Sequence, residues 1–291
     1  MLDLDIWLVS SIAVKVALYL TSLGALGTIL FVLMSKPLNT DLNKLLFKLA
    51  SVLAMLSALL TVMRIPLQAG QLYDDGLIGL YDFEMILLVS EGPLGTSSIV
   101  RVTGLALLLI AILSSRIRLI AMPIAGVMIA SSFAFIGHAT KDIWILGSLI
   151  TVHLLAVSFW MGALFPLYKI SGKKSTLKEA GRLANNFGKQ ASFIVPVLIV
   201  VGVIFVIHLT GNPVILFTTT YGSFLIGKLI IVAALLGLAV LNKLRLVPNL
   251  LNGDQGAALN LRKSILWESL AFLAIFIITA ILTSAVNLPN L

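Results

Sequence analysis

The chain contains no cysteine, so disulfides and thiolate metal centres are excluded, and a metal would have to be held by imidazole, thioether or oxygen. Charge is scarce as well. Only 11% of the 291 residues are Asp, Glu, Lys or Arg, while 59% are hydrophobic; an ordinary soluble domain is about a quarter charged. Water is therefore not the main solvent of this chain. Acids are the scarcer sign, 12 against 20 Lys and Arg. The resulting net charge of +8 does not point to nucleic acid, because the basic residues cluster in short loops between apolar runs, where they act as topology signals. The basic start and small-residue cleavage site of a removable signal peptide are missing too. Met1 to Asp5 is acidic, and the first apolar run is expected to be retained as a span. No Gly-Lys-Ser/Thr phosphate loop and no phosphorylatable Asp-Lys-Thr occurs. Transport, if any, is then expected to be passive or driven by an ion gradient, and nothing suggests an enzyme.

What the chain does have is length in its apolar runs. Stretches long enough to span fall at about 6–34, 45–66, 94–115, 118–137, 143–168, 190–210, 217–241 and 264–286, each near the roughly 20 residues that a bilayer core requires. The expected fold is all-α, a polytopic bundle of about eight transmembrane helices forming a single domain over residues 1–291, with no room for a separate soluble domain. Breaks such as Lys36-Pro37-Leu38-Asn39, Ser171-Gly172-Lys173-Lys174 and Gly211-Asn212-Pro213 separate the runs.

Loop charge alternates cleanly. One set of loops carries Lys36, Lys44, Lys48, Arg116, Arg118, Lys169, Lys173, Lys174, Lys178, Arg182, Lys189, Lys243, Arg245, Arg262 and Lys263; the other carries Asp3, Asp5, Asp74, Asp75, Asp82, Glu84, Glu91 and Asp142, with Lys141 almost its only cation. The basic set is expected in the cytoplasm, which puts both termini outside a bacterial inner membrane. The longest external segment, 66–93, mixes acids with Leu77, Tyr81, Phe83 and Leu88, as a short amphipathic helix at the outer surface does.

An ionisable group in hydrocarbon costs from about 2.5 to well over 10 kcal/mol, so each one needs a partner, a cavity or a role. The candidates are Lys15, Arg101, His153, Lys228 and Glu268 within spans, and His138 and His208 near outer span ends. Helical rise puts His153 near the midplane, about 15 Å from the outer face. Trp160 follows it by seven residues, on the same helix face, with Met161 partly around it and Gly162 offering close approach to a neighbouring helix. A histidine hydrogen-bonded between helices is the plainer alternative for His153, and an interfacial polar residue for His208. Imidazole suits copper, zinc and iron, and thioether sulfur favours Cu(I), but no Met-x-Met pair occurs, so no methionine is singled out as a ligand. Tyr221, Lys228 and Asn242 recur at sevens on one helix face, and Glu268 is the natural opposite charge for Lys228. That pair either fixes the register of two helices or borders a polar path and changes partner as an ion passes. Arg101 and Lys15 are expected to be neutralised by external carboxylates or to extend their stems outward.

Several short runs taken in order resemble the copper resistance protein D family. They are Gly137-His138-Ala139, then His153-Leu154-Leu155-Ala156, then Trp160-Met161-Gly162-Ala163-Leu164. Phe193 with Val197, Thr210-Gly211, Thr219-Thr220-Tyr221-Gly222 with Lys228, Leu241-Asn242-Lys243 with Pro248, and Leu261-Arg262-Lys263-Ser264 with Glu268 complete the set. The likeness covers about 130–290; the first four spans share only the hydrophobic layout. The resemblance implies an inner-membrane protein that handles copper, moving it inward from the periplasm, often beside a small periplasmic copper-binding protein. By the same resemblance His138, His153, Trp160, Tyr221, Lys228 and Glu268 belong to the family pattern; His208 does not. The expected metal residues are thus His138, His153 and His208, with Trp160, Met161, Tyr221, Lys228, Glu268 and Arg101 along a path. Two alternatives stand beside this reading: a membrane redox protein holding b-type haem between two histidines, and a copper-binding sensor or assembly subunit that transports nothing.

Overall fold

The computed structural model describes residues 6–35, 37–73, 77–210 and 214–285; the side chains of His138, Ala139, Lys141, Leu209, Thr210 and Ile215 lie outside that description. Also outside it are Asp3, Asp5, Lys36, Asp74, Asp75 and the break Gly211-Asn212-Pro213. The described chain is helical throughout, with no strand. In order run α1 (Ile6–Met34), α2 (Thr40–Tyr73), α3 (Phe83–Glu91), α4 (Pro93–Leu113), α5 (Arg118–Ser131), α6 (Ile145–Ile170), α7 (Leu177–Thr210), α8 (Ile215–Thr218), α9 (Thr220–Leu241), α10 (Val247–Leu251) and α11 (Gln255–Leu282). Eight stretches among the described residues are long and apolar enough to cross a membrane, and they coincide with the eight expected from hydropathy.

Helix ends depart from the hydropathy borders for local reasons. Asp254 caps α11 by accepting from the Gly256 amide at 2.7 Å, so the helix starts well before its apolar run. Likewise α7 begins at Leu177, since Lys178, Arg182 and Lys189 are good helix formers and need not end a helix where it leaves the bilayer. On the opposite side α2 continues through Pro66 to Tyr73; proline is tolerated inside spanning helices because neighbours satisfy the freed carbonyl. The segment expected to be amphipathic is completed by α3. Its Asp82 cap accepts from the Met85 amide at 2.8 Å, Val89 is buried with Met85 and Ile86 packed beside it, and Glu84 and Glu91 are exposed.

At the centre lies α1, packed on α2, α6 and α11. Ser22 of α1 and Ser57 of α2 share a buried hydrogen bond of 2.6 Å, the kind of interhelical polar contact that stands in for a hydrophobic driving force in lipid. On its other side α1 crosses α6 backbone to backbone at Gly27 and Gly162: a Cβ placed on Gly27 would lie 2.9 Å from the Gly162 nitrogen. The close approach expected of Gly162 is therefore made, and its partner is α1. By contrast α7 and α9 turn many apolar side chains outward, among them Val200, Ile207 and Ile230, as lipid-facing helices do.

Candidate functional site

The bundle has an acidic end and a basic end, distinguished by the charge of its loops. Several ionisable side chains are set at nearly one depth from the acidic end. Lys15 is nine residues inside α1, Arg64 nine residues before the end of α2, Arg101 eight inside α4, His153 eight inside α6 and Lys228 eight inside α9. At 1.5 Å per residue that is a layer about 12–14 Å below the helix ends. The layer has two sectors. In one, His153 points at α7, where a Cβ on Gly202 would lie 3.6 Å from its Cε1, and Lys228 of α9 is its electrostatic neighbour. Both side chains are half-buried. Lys15, Arg64 and Arg101 form the other sector.

Neither Lys15 nor Arg101 meets a described carboxylate, and the nearby external acids Asp3, Asp5, Asp74 and Asp75 lie outside the described residues. Lys15 Nζ donates to the Thr283 carbonyl at 2.9 Å and to Ser284 Oγ at 2.6 Å, so its charge meets the electronegative C-terminal end of α11. Arg101 is fully buried; its Nε donates to Ser132 Oγ at 2.9 Å, one Nη donates to Ser97 Oγ at 3.2 Å, and the guanidinium stacks 4.1 Å from the Phe133 ring centre. Lys15→Met is expected to accelerate amide exchange tenfold or more over Ile281–Ala285, because a hydrogen bond to a charged group contributes about 1.5–3 kcal/mol; exchange measured by mass spectrometry checks it.

Glu268 does not pair with Lys228. Its Oε1 accepts from Asn242 Nδ2 at 2.6 Å and its Oε2 from Trp160 Nε1 at 2.9 Å. Asn242 and Lys228 are fourteen residues apart, about 21 Å along a helix, so the register that joins Glu268 to Asn242 separates it from Lys228. The sevenfold spacing of Tyr221, Lys228 and Asn242 still sets them on one inward face: Tyr221 is buried and Asn242 reaches Glu268. Trp160 is fixed a second time by Phe272, edge to face at 6.1 Å. At Asn242 the chain enters a π-helical turn, Asn242–Leu246, before α10, an uncommon form that recurs at functional sites. A groove of about 510 Å³ opens beside it, lined by Arg245, Asn249, Asp254, Asn260, Ser264 and Trp267.

His208 is exposed near the acidic end of α7. It lies six residues beyond Gly202, about 9 Å further along and turned to another face, so it does not meet His153. Met161 is half-buried, with its Cε beside Gly24 of α1. No three His, Asp or Glu side chains converge as a metal site among the described residues, and no second described imidazole stands level with His153 as a bis-histidine haem requires.

Arg64 escaped the sequence reading. The apolar run ends at Pro66, which put Arg64 at a span border; continuation of α2 to Tyr73 draws it inside. The signal that could have found it is the uninterrupted Leu67-Gln68-Ala69-Gly70 that follows. Ser97 and Ser132, which hold Arg101, carried no signal beyond ordinary serine in a span.

Eight spanning helices with charged side chains set within them define a multi-pass α-helical membrane protein with an ionisable interior. The chain belongs to the copper resistance protein D family. The profile described as "Copper resistance protein D-like, N-terminal domain" matches residues 1–148, and that described as "Copper resistance protein D" matches residues 181–282. A relative named Copper resistance protein D, from Pseudomonas syringae pv. tomato, is 29% identical over 258 residues, covering 82% of each chain. No solved structure matches. The N-terminal match carries the likeness through the first four spans, where the motifs alone left only a common layout.

Proposed function

We propose that this protein passes copper ions across a bacterial inner membrane, from periplasm toward cytoplasm, in copper resistance or homeostasis. The family membership supports the metal, and the alternation of loop charge supports the orientation, with the acidic end and both termini periplasmic. The observation that carries the reading is His153, a half-buried imidazole aimed at the glycine gap of Gly202, level with Lys228. A neutral imidazole there is a ligand for copper in transit.

On this reading Asp82, Glu84 and Glu91 at the acidic end gather cations, and His208 and His138 stand at the mouth. A periplasmic copper-binding protein would deliver the ion. Trp160, Asn242 and Glu268 form a gate nearer the cytoplasm, with the carboxylate exchanging its neutral donors for the passing ion. Tyr221, Met161 and Lys228 line or support the path. The experiment is cell copper in a strain lacking the gene, complemented with wild type or with His153→Ala at equal membrane abundance. His153→Ala is expected to lower copper uptake at least fivefold; unchanged uptake overturns the reading. Transport into proteoliposomes separates passage from binding alone, and a visible spectrum without a Soret band separates it from haem.

A further inference from the structure

Among the described residues, four cations lie well inside the spans, Lys15, Arg64, Arg101 and Lys228, against one carboxylate at comparable distance from the span ends, Glu268. That carboxylate is already held by Trp160 and Asn242. Three of the cations come from adjacent helices at one depth, Lys15 from α1, Arg64 from α2 and Arg101 from α4. Their surroundings interlock. Arg101 stacks on Phe133, Phe133 lies 5.6 Å from the Tyr19 ring, and Tyr19 is one helical turn from Lys15. Arg64 is within electrostatic reach of Lys15, Tyr19 and Arg101.

The groups left without partners identify what is missing. Nη1 of Arg101 is buried and has no hydrogen-bond acceptor, on a residue with 0% exposure. Arg64 makes no hydrogen bond or ion pair to any described residue. A water molecule would satisfy Nη1 but leave the charges uncompensated. Lys15 has the end of α11, and a lysine is able to shed its proton; guanidinium groups stay charged inside proteins. Two like charges in a low-dielectric setting need a negative charge close by.

We propose that Arg64 and Arg101, with Lys15 beside them, form a binding site for a small inorganic anion of the halide class. The site is bordered by Phe133, stacked on Arg101, and by Tyr19 packed against Phe133, and sits about 12–14 Å below the helix ends, which suits a compact monovalent ion better than a lipid headgroup. The site stands apart from His153 and does not depend on the copper reading.

The test uses the full chain, purified in uncharged detergent with potassium gluconate as the only salt. The thermal midpoint is followed as chloride, bromide or iodide replaces gluconate, and radioactive chloride is counted by equilibrium dialysis. Wild type is expected to show a saturable rise in midpoint and about one bound chloride per chain, the occupancy of a single-site equilibrium. Arg64→Gln/Arg101→Gln should lose both responses while its midpoint in gluconate equals or exceeds that of wild type, because charge repulsion is relieved. His153→Ala should keep both. If the double variant fails to fold, Arg64→Gln alone, at a half-buried position, is expected to weaken chloride binding at least tenfold. Absence of halide dependence in wild type overturns the proposal, as does a response only to phosphatidylglycerol. So does halide binding that appears only when Asp5, Asp74 and Asp75, which lie outside the described residues, are changed to Asn, since those carboxylates would then be the counter-charge.

Discussion

Gly162→Ala is expected to disrupt the bundle, and Gly162→Val to prevent its assembly. The position faces the backbone of α1 rather than a movable side chain: a Cβ on Gly162 would overlap the Gly27 carbonyl. Overpacking a core costs about 1–3 kcal/mol when side chains are able to shift. Here two helix axes must separate, so the loss is expected at or above about 3 kcal/mol, a large part of the roughly 5–15 kcal/mol that holds a folded chain together. Gly27→Ala meets the same obstacle from the other helix. Gly227 and Gly237 of α9 supply the contrast, since an added Cβ there meets nothing within 4 Å. Gly227→Ala and Gly237→Ala are expected to be neutral or to stabilise by up to about 1 kcal/mol, because alanine is the better helix residue. Thermal midpoints and the monodisperse fraction after detergent extraction read the difference. Equal behaviour of Gly162→Ala and Gly227→Ala would show that α1 and α6 do not cross at this point.

Glu268→Ala carries the second large effect. The carboxylate is 3% exposed and accepts from two side chains on two other helices. Its removal strands the Trp160 and Asn242 donors, and each unsatisfied buried donor costs about 1–3 kcal/mol. Glu268→Gln keeps a carbonyl acceptor and nearly the same volume, so the expected loss in midpoint is smaller. The two variants separate structure from function. If the negative charge serves an ion in passage, both lower cellular copper accumulation to a similar degree, even though only Glu268→Ala is strongly destabilised. Wild-type copper handling by Glu268→Gln would reduce Glu268 to a helix clamp.

Hydrophobic run length was enough to give the number and approximate position of the spans, because the bilayer leaves so few ways to satisfy the backbone. The same constraint explains where the reading failed. A proline looks like a helix end in water; in a span it is not one, and that single difference hid Arg64. The expected partner of Glu268 was wrong for another reason. Opposite charges on successive spans attract attention in a sequence, but which residues meet depends on how far one helix slides along the next. A displacement of about four turns along the helix put Asn242 where Lys228 was expected.

The sequence by itself determined an all-helical membrane chain of eight spans, its loop-charge alternation, the inward face shared by Tyr221, Lys228 and Asn242, and a resemblance to its family. All of these follow from periodicity, run length and local composition. Only the tertiary structure decided that Gly162 meets Gly27, that Lys15 closes the end of α11, that Trp160 and Asn242 hold Glu268, and that three cations from different helices share one level. Each of those is a contact between segments far apart in the chain. Their choice rests on the axial and rotational setting of whole helices, which is fixed by packing over many residues at once.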